Sequence, residues 1–374
     1  MRVLVAGWVG STNLGDELVF SGLRTLLAPY GVQVSAISVD PPATRAAHGV
    51  GAVGHLDAAR LLRAVGEADA VVFGGGGLVQ DDSSALNLPY HLARVALARM
   101  RGTPWAAVGL GVGGLATRAA RGLVHAALQD SVGIAVRDED SRRLLEEVGV
   151  PGAVVAADLA FALAGSAPPS SEEVAENGDG EAQRDGDRLV VCLRPWSSGH
   201  ARLPAASQAD TTPDTHLDAL ATALDTAAQR TGLPVEFVAL QADRDDAVHE
   251  RVAARMTTPT TRSTPTLAEL LPTVARARAV VAMRYHGGVA ATLAGRPSVL
   301  IGYAPKVDAL AHELGAGGKV LGWDPADLAD VPEALTAVLP HARAVTRTRA
   351  DLQARQAGNR EVLERLLQAA DRAR

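Results

Sequence analysis

The strongest constraint on this 374-residue chain is a rhythm. Short unbroken runs of Val, Ala, Leu and Ile alternate with longer Ala/Leu/Arg segments of helical period. Unbroken apolar runs mark strands buried on both faces, and such strands joined by helices build parallel sheets. In the first half, residues 2–6, 32–39, 70–73, 105–108, 133–136 and 153–156 read as strands. Helices are expected at 16–28, 58–65, 89–101 and 141–148, the last closed by Gly149. A second series follows, with strands at 188–193, 235–240, 279–282 and 298–301 and helices at 216–231, 245–254, 266–277 and 287–294. The chain is too long for one ordinary core, so the expected fold class is α/β with two similar halves.

The rhythm fails at 166–187, where seven acids stand against one Arg and account for the chain's whole net charge of −6. With almost nothing to bury, this segment reads as a solvated interdomain linker. It divides the chain into a first domain (1–165), the linker (166–187), a second domain (188–340) and an Arg-rich helical tail (341–374). From His341 onward the tail carries eight Arg against four acids. It reads either as a helix packed back on the body or as a peripheral contact with an anionic membrane surface. Residues 197–215 form a Ser/Thr/Pro/Ala loop of a length usually reserved for function or disorder.

Charge and composition exclude several classes. A pI near 5.9 and only four each of Phe, Tyr and Trp argue against a nucleic-acid partner. A single cysteine, Cys192, can form neither an intrachain disulfide nor a thiolate cluster, which fits a reducing, cytoplasmic setting. The longest uncharged stretch, 102–117, is too short to span a bilayer and is interrupted by Pro104. The apolar start at 3–9 is too short for a signal core and reads as the first strand. The histidines outside the sites below show no metal-ligand spacing, and no nucleophile elbow or H-E-x-x-H helix appears, so no metal is expected.

Three groups of residues are candidates for chemistry. The first is the segment 7–17, with Gly10, Asn13, Gly15 and Asp16, after strand one and opening a helix. It is neither a dinucleotide fingerprint nor a Walker loop. It reads equally as a ligand loop at a helix N-terminus and as a tight turn capped by Asn13 or Asp16. The second is 74–84, where four glycines, including Gly75 and Gly76, precede Gln80, Asp81, Asp82, Ser83 and Ser84 at a strand's carboxyl end. Open α/β sheets bind ligands there, and these side chains suit sugar hydroxyls or proton abstraction, although a flexible loop with capping Asp and Ser is also open. A further glycine cluster, Gly109 to Gly114, ends the next strand. The third is basic: Arg194, Arg284, His286 and Lys306 all follow strands of the second half and should converge on one crevice. Arg forks grip carboxylates and phosphates, and His carries protons near neutral pH. Taken singly, each is equally a surface cation or a satisfied core histidine. The segment 137–141 (R-D-E-D-S) is explained by helix capping and a local Arg–Asp pair.

Seven blocks in this order resemble the polysaccharide pyruvyl transferase family. They are G-x-x-G-x-x-N-x-G-D-E at 7–17, GGG-x-L-x-Q-D-x-S-S in 74–84, R-D-E-x-S at 137–141, D-x-x-F at 158–161, L-R-P-W at 193–196, M-R-x-H at 283–286 and Y-x-P-K-V at 303–307. The Gln80-Asp81-x-Ser83-Ser84 and Arg194-Pro195-Trp196 details look most like the CsaB-type branch, which acts on secondary cell-wall polysaccharide. The resemblance implies two Rossmann-like domains facing across a cleft (GT-B-like), with the acceptor on the first domain and the donor on the second. It implies phosphoenolpyruvate as a substrate, with no separate cofactor, and a ketal across two hydroxyls of one sugar, an N-acetylmannosamine of a polysaccharide or lipid-linked saccharide. On this chain Arg194, Arg284, Lys306 and Tyr303 would hold the donor, with His286, Arg284 and Asp81 catalytic. Gly10, Asn13, Gly15, Asp16, Gly75, Gly76, Gln80, Ser83 and Ser84 would cradle the acceptor. A lipid-linked acceptor would place the enzyme at the membrane's inner face. The pattern departs at Gly111-Val112-Gly113-Gly114, where the family has G-x-G-P, and in the loop 197–215. The competing expectation is a GT-B glycosyltransferase whose basic set holds a nucleotide sugar's diphosphate.

Overall fold

The computed structural model describes residues 1–81, 86–166, 186–196, 212–302 and 304–374. Ser83, Ser84 and Tyr303, with nearly all of the acidic linker and of the 197–215 loop, lie outside the described residues.

Runs of Val, Ala and Leu with no polar alternation form strands covered on both faces, and every described strand pairs in parallel. The first sheet comprises β1 (Arg2–Val9), β2 (Gln33–Ser38), β3 (Gly51–Gly54), β4 (Ala70–Val79), β5 (Trp105–Val112), β6 (Ile134–Val136) and β7 (Val154–Val155), in the order β3-β2-β1-β4-β5-β6-β7. The second comprises β8 (Arg188–Cys192), β9 (Val235–Val238), β10 (Thr260–Ser263), β11 (Ala277–Ala282), β12 (Ser298–Ile301) and β13 (Gly318–Leu321), in the order β10-β9-β8-β11-β12-β13. Both are doubly wound Rossmann sheets. The strand order reverses between β1 and β4 in the first and between β8 and β11 in the second, and ligands bind beyond the carboxyl ends of the strands at such points.

The glycine runs differ from the expectation that they follow the strands. Gly74–Gly77 lies inside β4, and Gly109 and Gly111 lie inside β5, which pair across Gly74–Val108 and Gly76–Leu110 with a register shift before Val79–Val112. Gly74, Gly75 and Gly76 all have positive φ, and a Cβ on Gly75 would come within 2.4 Å of Val19 Cγ1. The backbone pairs through a left-handed path that only glycine tolerates, so strand pairing extends to the crevice itself.

The two domains meet at the ends of these strands. Leu14 N–H donates to the Leu240 carbonyl at 2.8 Å, and Thr12 Oγ1 donates to Asp243 Oδ1 at 2.8 Å. The tail, expected as one helix, is two: Ala342–Ala354 stays with the second domain, and Gln356–Arg372 crosses to the first. Val362, Leu363 and Leu366 of the crossing helix are buried in the core formed by β1, β4 and the helix Leu14–Leu27. Its polar anchor is Asn359, which accepts from Gly109 N–H at 2.8 Å and donates to the Ala157 carbonyl at 3.0 Å. Gln356 donates to the Asp158 carbonyl at 2.8 Å. Asn359→Ala strands a buried N–H and a buried carbonyl, so it is expected to lower stability by about 3 kcal/mol. A urea midpoint within error of wild type would contradict this.

Candidate functional site

At the carboxyl end of β8, the Leu193 N–H donates to Nε2 of His249 at 3.1 Å, and the next residue is Arg194. Burial, with the Arg284 charge adding to it, pushes the His249 imidazole down to about 4, so it accepts as a neutral ring. At the end of β11, the Met283 and Arg284 N–H groups both donate to the Cys192 carbonyl, which locks the two strand ends side by side. Arg284 then caps the helix Tyr285–Leu293. Its Nε donates to both oxygens of Asp245, at 2.8 and 3.0 Å, and its Nη2 reaches Asp245 and Gln241.

Asp245 is fully buried in the first turn of the helix Ala242–Ala253 and also accepts from the Leu240 and Gln241 N–H groups. Burial pushes its carboxyl up, against the pull of Arg284. Arg244, beside it, is pushed down by burial first and then by Arg194 and Arg284. Three guanidinium groups therefore crowd around the buried carboxylate of Asp245 at the ends of β8 and β11. Like charges so crowded leave an excess of positive potential, which an anion of two or more charges relieves.

Two residues after Arg284, the first turn of the helix Tyr285–Leu293 carries the imidazole. His286 Nε2 lies 3.7 Å from Asp158 Oδ2, and neither buried atom has a hydrogen-bond partner. Burial alone raises the Asp158 carboxyl; the His286 imidazole, the Arg137 guanidinium and the Ala160 N–H together outweigh it and hold it below the usual range. On the other side is Asp16, raised by burial and pulled back by His286 and Asn13. Tyr285 packs edge-on against His286, with the Arg137 guanidinium 4.8 Å and the Lys306 ammonium 5.9 Å from its ring centre. Burial raises the Tyr285 hydroxyl, so it stays neutral.

The first domain's loop is both turn and crevice wall. Asn13 caps the helix Leu14–Leu27 by accepting from Gly15 N–H at 3.1 Å and donates to Asp16 at 2.8 Å. Glu17 accepts from the Gly10 and Ser11 N–H groups and pairs with buried His48 at 2.6 Å. A Cβ on Gly15 would stand 2.2 Å from His286 Nδ1, so the absence of a side chain there lets the imidazole in. A Cβ on Gly111 would come within 2.6 Å of the Arg137 guanidinium.

Of the expected residues, Arg194 and Arg284 meet around Asp245 and Arg244, His286 meets Gly15 and Asp16 across the domain boundary, and Lys306 stands near Tyr285, the neighbour of His286. Gly10, expected in the cradle, packs instead against Ser38 and Thr44, and Gly75 packs against Val19 and Leu159. Asp81 sits at the end of β4 with both oxygens on the Ala116 N–H, at 3.1 and 3.2 Å, and the Gln80 carbonyl accepts from Asn87. Arg137, read from sequence as a local pair, does bond Asp138 at 3.1 Å and also faces Asp158 and Tyr285. Asp245, Arg244, Gln241 and Tyr285 were not singled out from sequence. The first three open the helix that follows β9, beside the strand that carries Arg194, but nothing in the sequence separates Asp245 from its neighbours Asp243 and Asp246.

The sequence model of the family described as polysaccharide pyruvyl transferase matches residues 13–305. No curated protein matches the chain by sequence. Among solved structures, the UDP complex of MnaA from S. aureus superposes with a TM-score of 0.62 at 10% identity, covering 93% of this chain and 92% of that one. The UDP-GlcNAc 2-epimerase of Neisseria meningitidis, bound to UDP-GlcNAc, gives 0.60 at 11% identity over 98% and 100% of the two chains. MurG of Acinetobacter baumannii gives 0.51 at 13% identity over 96% and 98%. At these identities the likeness is one of fold: two Rossmann-like domains across a cleft, the GT-B arrangement.

Proposed function

Because the chain belongs to the polysaccharide pyruvyl transferase family, we propose that its crevice takes phosphoenolpyruvate as the donor and builds a pyruvate ketal on one sugar of a cell-wall or surface polysaccharide. The observation that carries this reading is the crowding of Arg194, Arg244 and Arg284 against the single buried carboxylate of Asp245. Phosphoenolpyruvate is small and bears a carboxylate and a phosphate, the two groups that guanidinium forks bind best. Lys306, on the far side of Tyr285, supplies a further cation.

Protonated His286 gives its proton to the methylene carbon, whose π pair becomes the new C–H bond and leaves an oxocarbenium-like centre at the enol carbon. A sugar hydroxyl forms the first C–O bond there and loses its proton. We assign that proton to Asp16 rather than Asp81, because both Asp81 oxygens are committed to Ala116 and Asp16 lies beside the imidazole. The C–O bond to phosphate then breaks, phosphate leaving with the electron pair, and the neighbouring hydroxyl closes the ketal as its proton is lost. Asp158 faces the ring, its Oδ2 3.7 Å from Nε2. Asp81 shapes the acceptor wall by pinning the loop at Ala116. The acceptor we favour is an N-acetylmannosamine unit, as in the CsaB-type branch, presented on a polysaccharide or lipid carrier at the inner face of the membrane.

Incubation with phosphoenolpyruvate and an oligosaccharide acceptor should release inorganic phosphate and add one ketal-bound pyruvate by mass. Release of nucleotide from a nucleotide sugar, with no phosphate from phosphoenolpyruvate, would overturn the reading in favour of glycosyl transfer. Gly15→Ala should lower kcat about 100-fold with the thermal midpoint nearly unchanged, since the added methyl displaces the imidazole. Retention of full kcat would detach His286 from the chemistry.

A further inference from the structure

The side chains of the first domain that face solvent are unlike those of the rest of the molecule. All six large hydrophobic side chains exposed among the described residues (Val39, Leu56, Leu62, Leu86, Met100 and Leu123) belong to this domain. Five of them lie in, or immediately before, three helices that pack side by side over one face of the first sheet: Ala58–Glu67, Asn87–Arg101 and Arg118–Leu128. Together these helices carry seven arginines and one acid, Glu67, in a protein whose net charge is −6.

Their inward residues, among them Leu61, Val65, Leu92, Val95 and Val124, build the core under the sheet, so the outward residues answer to solvent alone. Arg94 is buried against the Tyr90 ring, and Arg60 and Arg99 pair with Asp57 and Asp130 at the ends of the layer. Arg63, Arg101 and Arg118 remain exposed, with Leu62, Met100 and Leu123 between them. The basic face stops at the next crossover helix, Glu139–Glu147, which holds four acids.

We propose that this three-helix face docks on an anionic lipid bilayer. Acidic headgroups complement the arginines, and the intervening leucine and methionine side chains enter the boundary between headgroup and acyl chain. A nucleic acid would also complement the charge, but it has no use for exposed aliphatic side chains set among the arginines. The tail, for which a membrane contact was one of two expectations, is less suited: Val362, Leu363 and Leu366 are buried against the first domain, and Arg365 pairs with Glu361. Leu56 and Leu86 stand where their helices begin, the end of the layer nearest the strands' carboxyl termini, so docking on this face brings the crevice mouth to the lipid surface.

The test is co-sedimentation of the full chain with vesicles of phosphatidylcholine alone or of phosphatidylcholine mixed equally with phosphatidylglycerol. The protein should pellet with the mixed vesicles only, and added salt should release it. Arg63→Gln/Arg101→Gln/Arg118→Gln should weaken binding roughly 100-fold, and Leu62→Glu/Leu123→Glu should weaken it with every arginine in place. Arg360→Gln/Arg365→Gln/Arg372→Gln in the tail should leave it unchanged. Failure to pellet with the mixed vesicles, equal pelleting by the first triple variant, or binding to duplex DNA that the leucine variant keeps would each overturn the proposal. Sedimentation needs no turnover, so the outcome is separate from that of the pyruvyl-transfer reading. Phosphate release with a soluble acceptor should be the same in wild type and both face variants.

Discussion

His286→Gln is expected to lower kcat about 1,000-fold while the far-ultraviolet spectrum and thermal midpoint stay at wild-type values. The imidazole stands between Asp158 and Asp16 at the N-terminus of the helix Tyr285–Leu293, where it can give a proton to the methylene carbon of the donor. Glutamine keeps most of the ring's volume and can still donate a hydrogen bond, but it has no proton to give to carbon. Phosphate release from phosphoenolpyruvate under saturating donor measures the effect, and a kcat within a few-fold of wild type would move the acid elsewhere.

The second large effect falls on stability and donor binding together. Asp245→Asn keeps the shape of a fully buried side chain but removes the negative charge that faces Arg284, Arg244 and Arg194. Breaking one member of a buried ion pair leaves the other uncompensated, at a cost of about 3–5 kcal/mol. The amide also gives poorer acceptance to the Leu240 and Gln241 N–H groups that Asp245 now satisfies. The variant should therefore melt several degrees below wild type and show a raised KM for donor, because Arg284 loses the partner that fixes its fork. Inorganic phosphate should raise its melting temperature more than it raises that of the wild type, since an added anion restores some of the missing charge. Equal shifts in the two proteins would mean that the arginines are not a shared anion site.

Much of this architecture is legible in the amino acids alone. Central strands such as Val3–Ala6 and Val71–Phe73 sit between helical layers, so their apolar runs are continuous and visible. β3, β10 and β13 were not expected, and all three are edge strands: GAVG, TTRS and GKVL have one open side and little to bury. The strand glycines misled for another reason. Punctuation by glycine usually marks a turn, whereas here the missing Cβ atoms let Val19 and Leu159 press against the backbone of β4 and β5.

The four basic site residues could be named because each follows a strand of the second domain. Asp245 could not, since the helix ADRDDAVHERVA offers three similar aspartates and only the fold shows which one meets an arginine 39 positions later. Asp158 is a similar case, because its pairing with His286 crosses from one domain to the other, and the same crossing kept Asp16, named as part of the helix-opening loop, from being read as a neighbour of His286.

The crossing of the last helix has a consequence for biosynthesis. One side of the first sheet is covered by the helix Leu14–Leu27 together with Val362, Leu363 and Leu366, which are translated after the strands of both domains. The amino-terminal domain must wait with that side only partly covered while the carboxyl-terminal domain is translated. A nascent chain halted before Gln356 would present a half-built hydrophobic wall to chaperones.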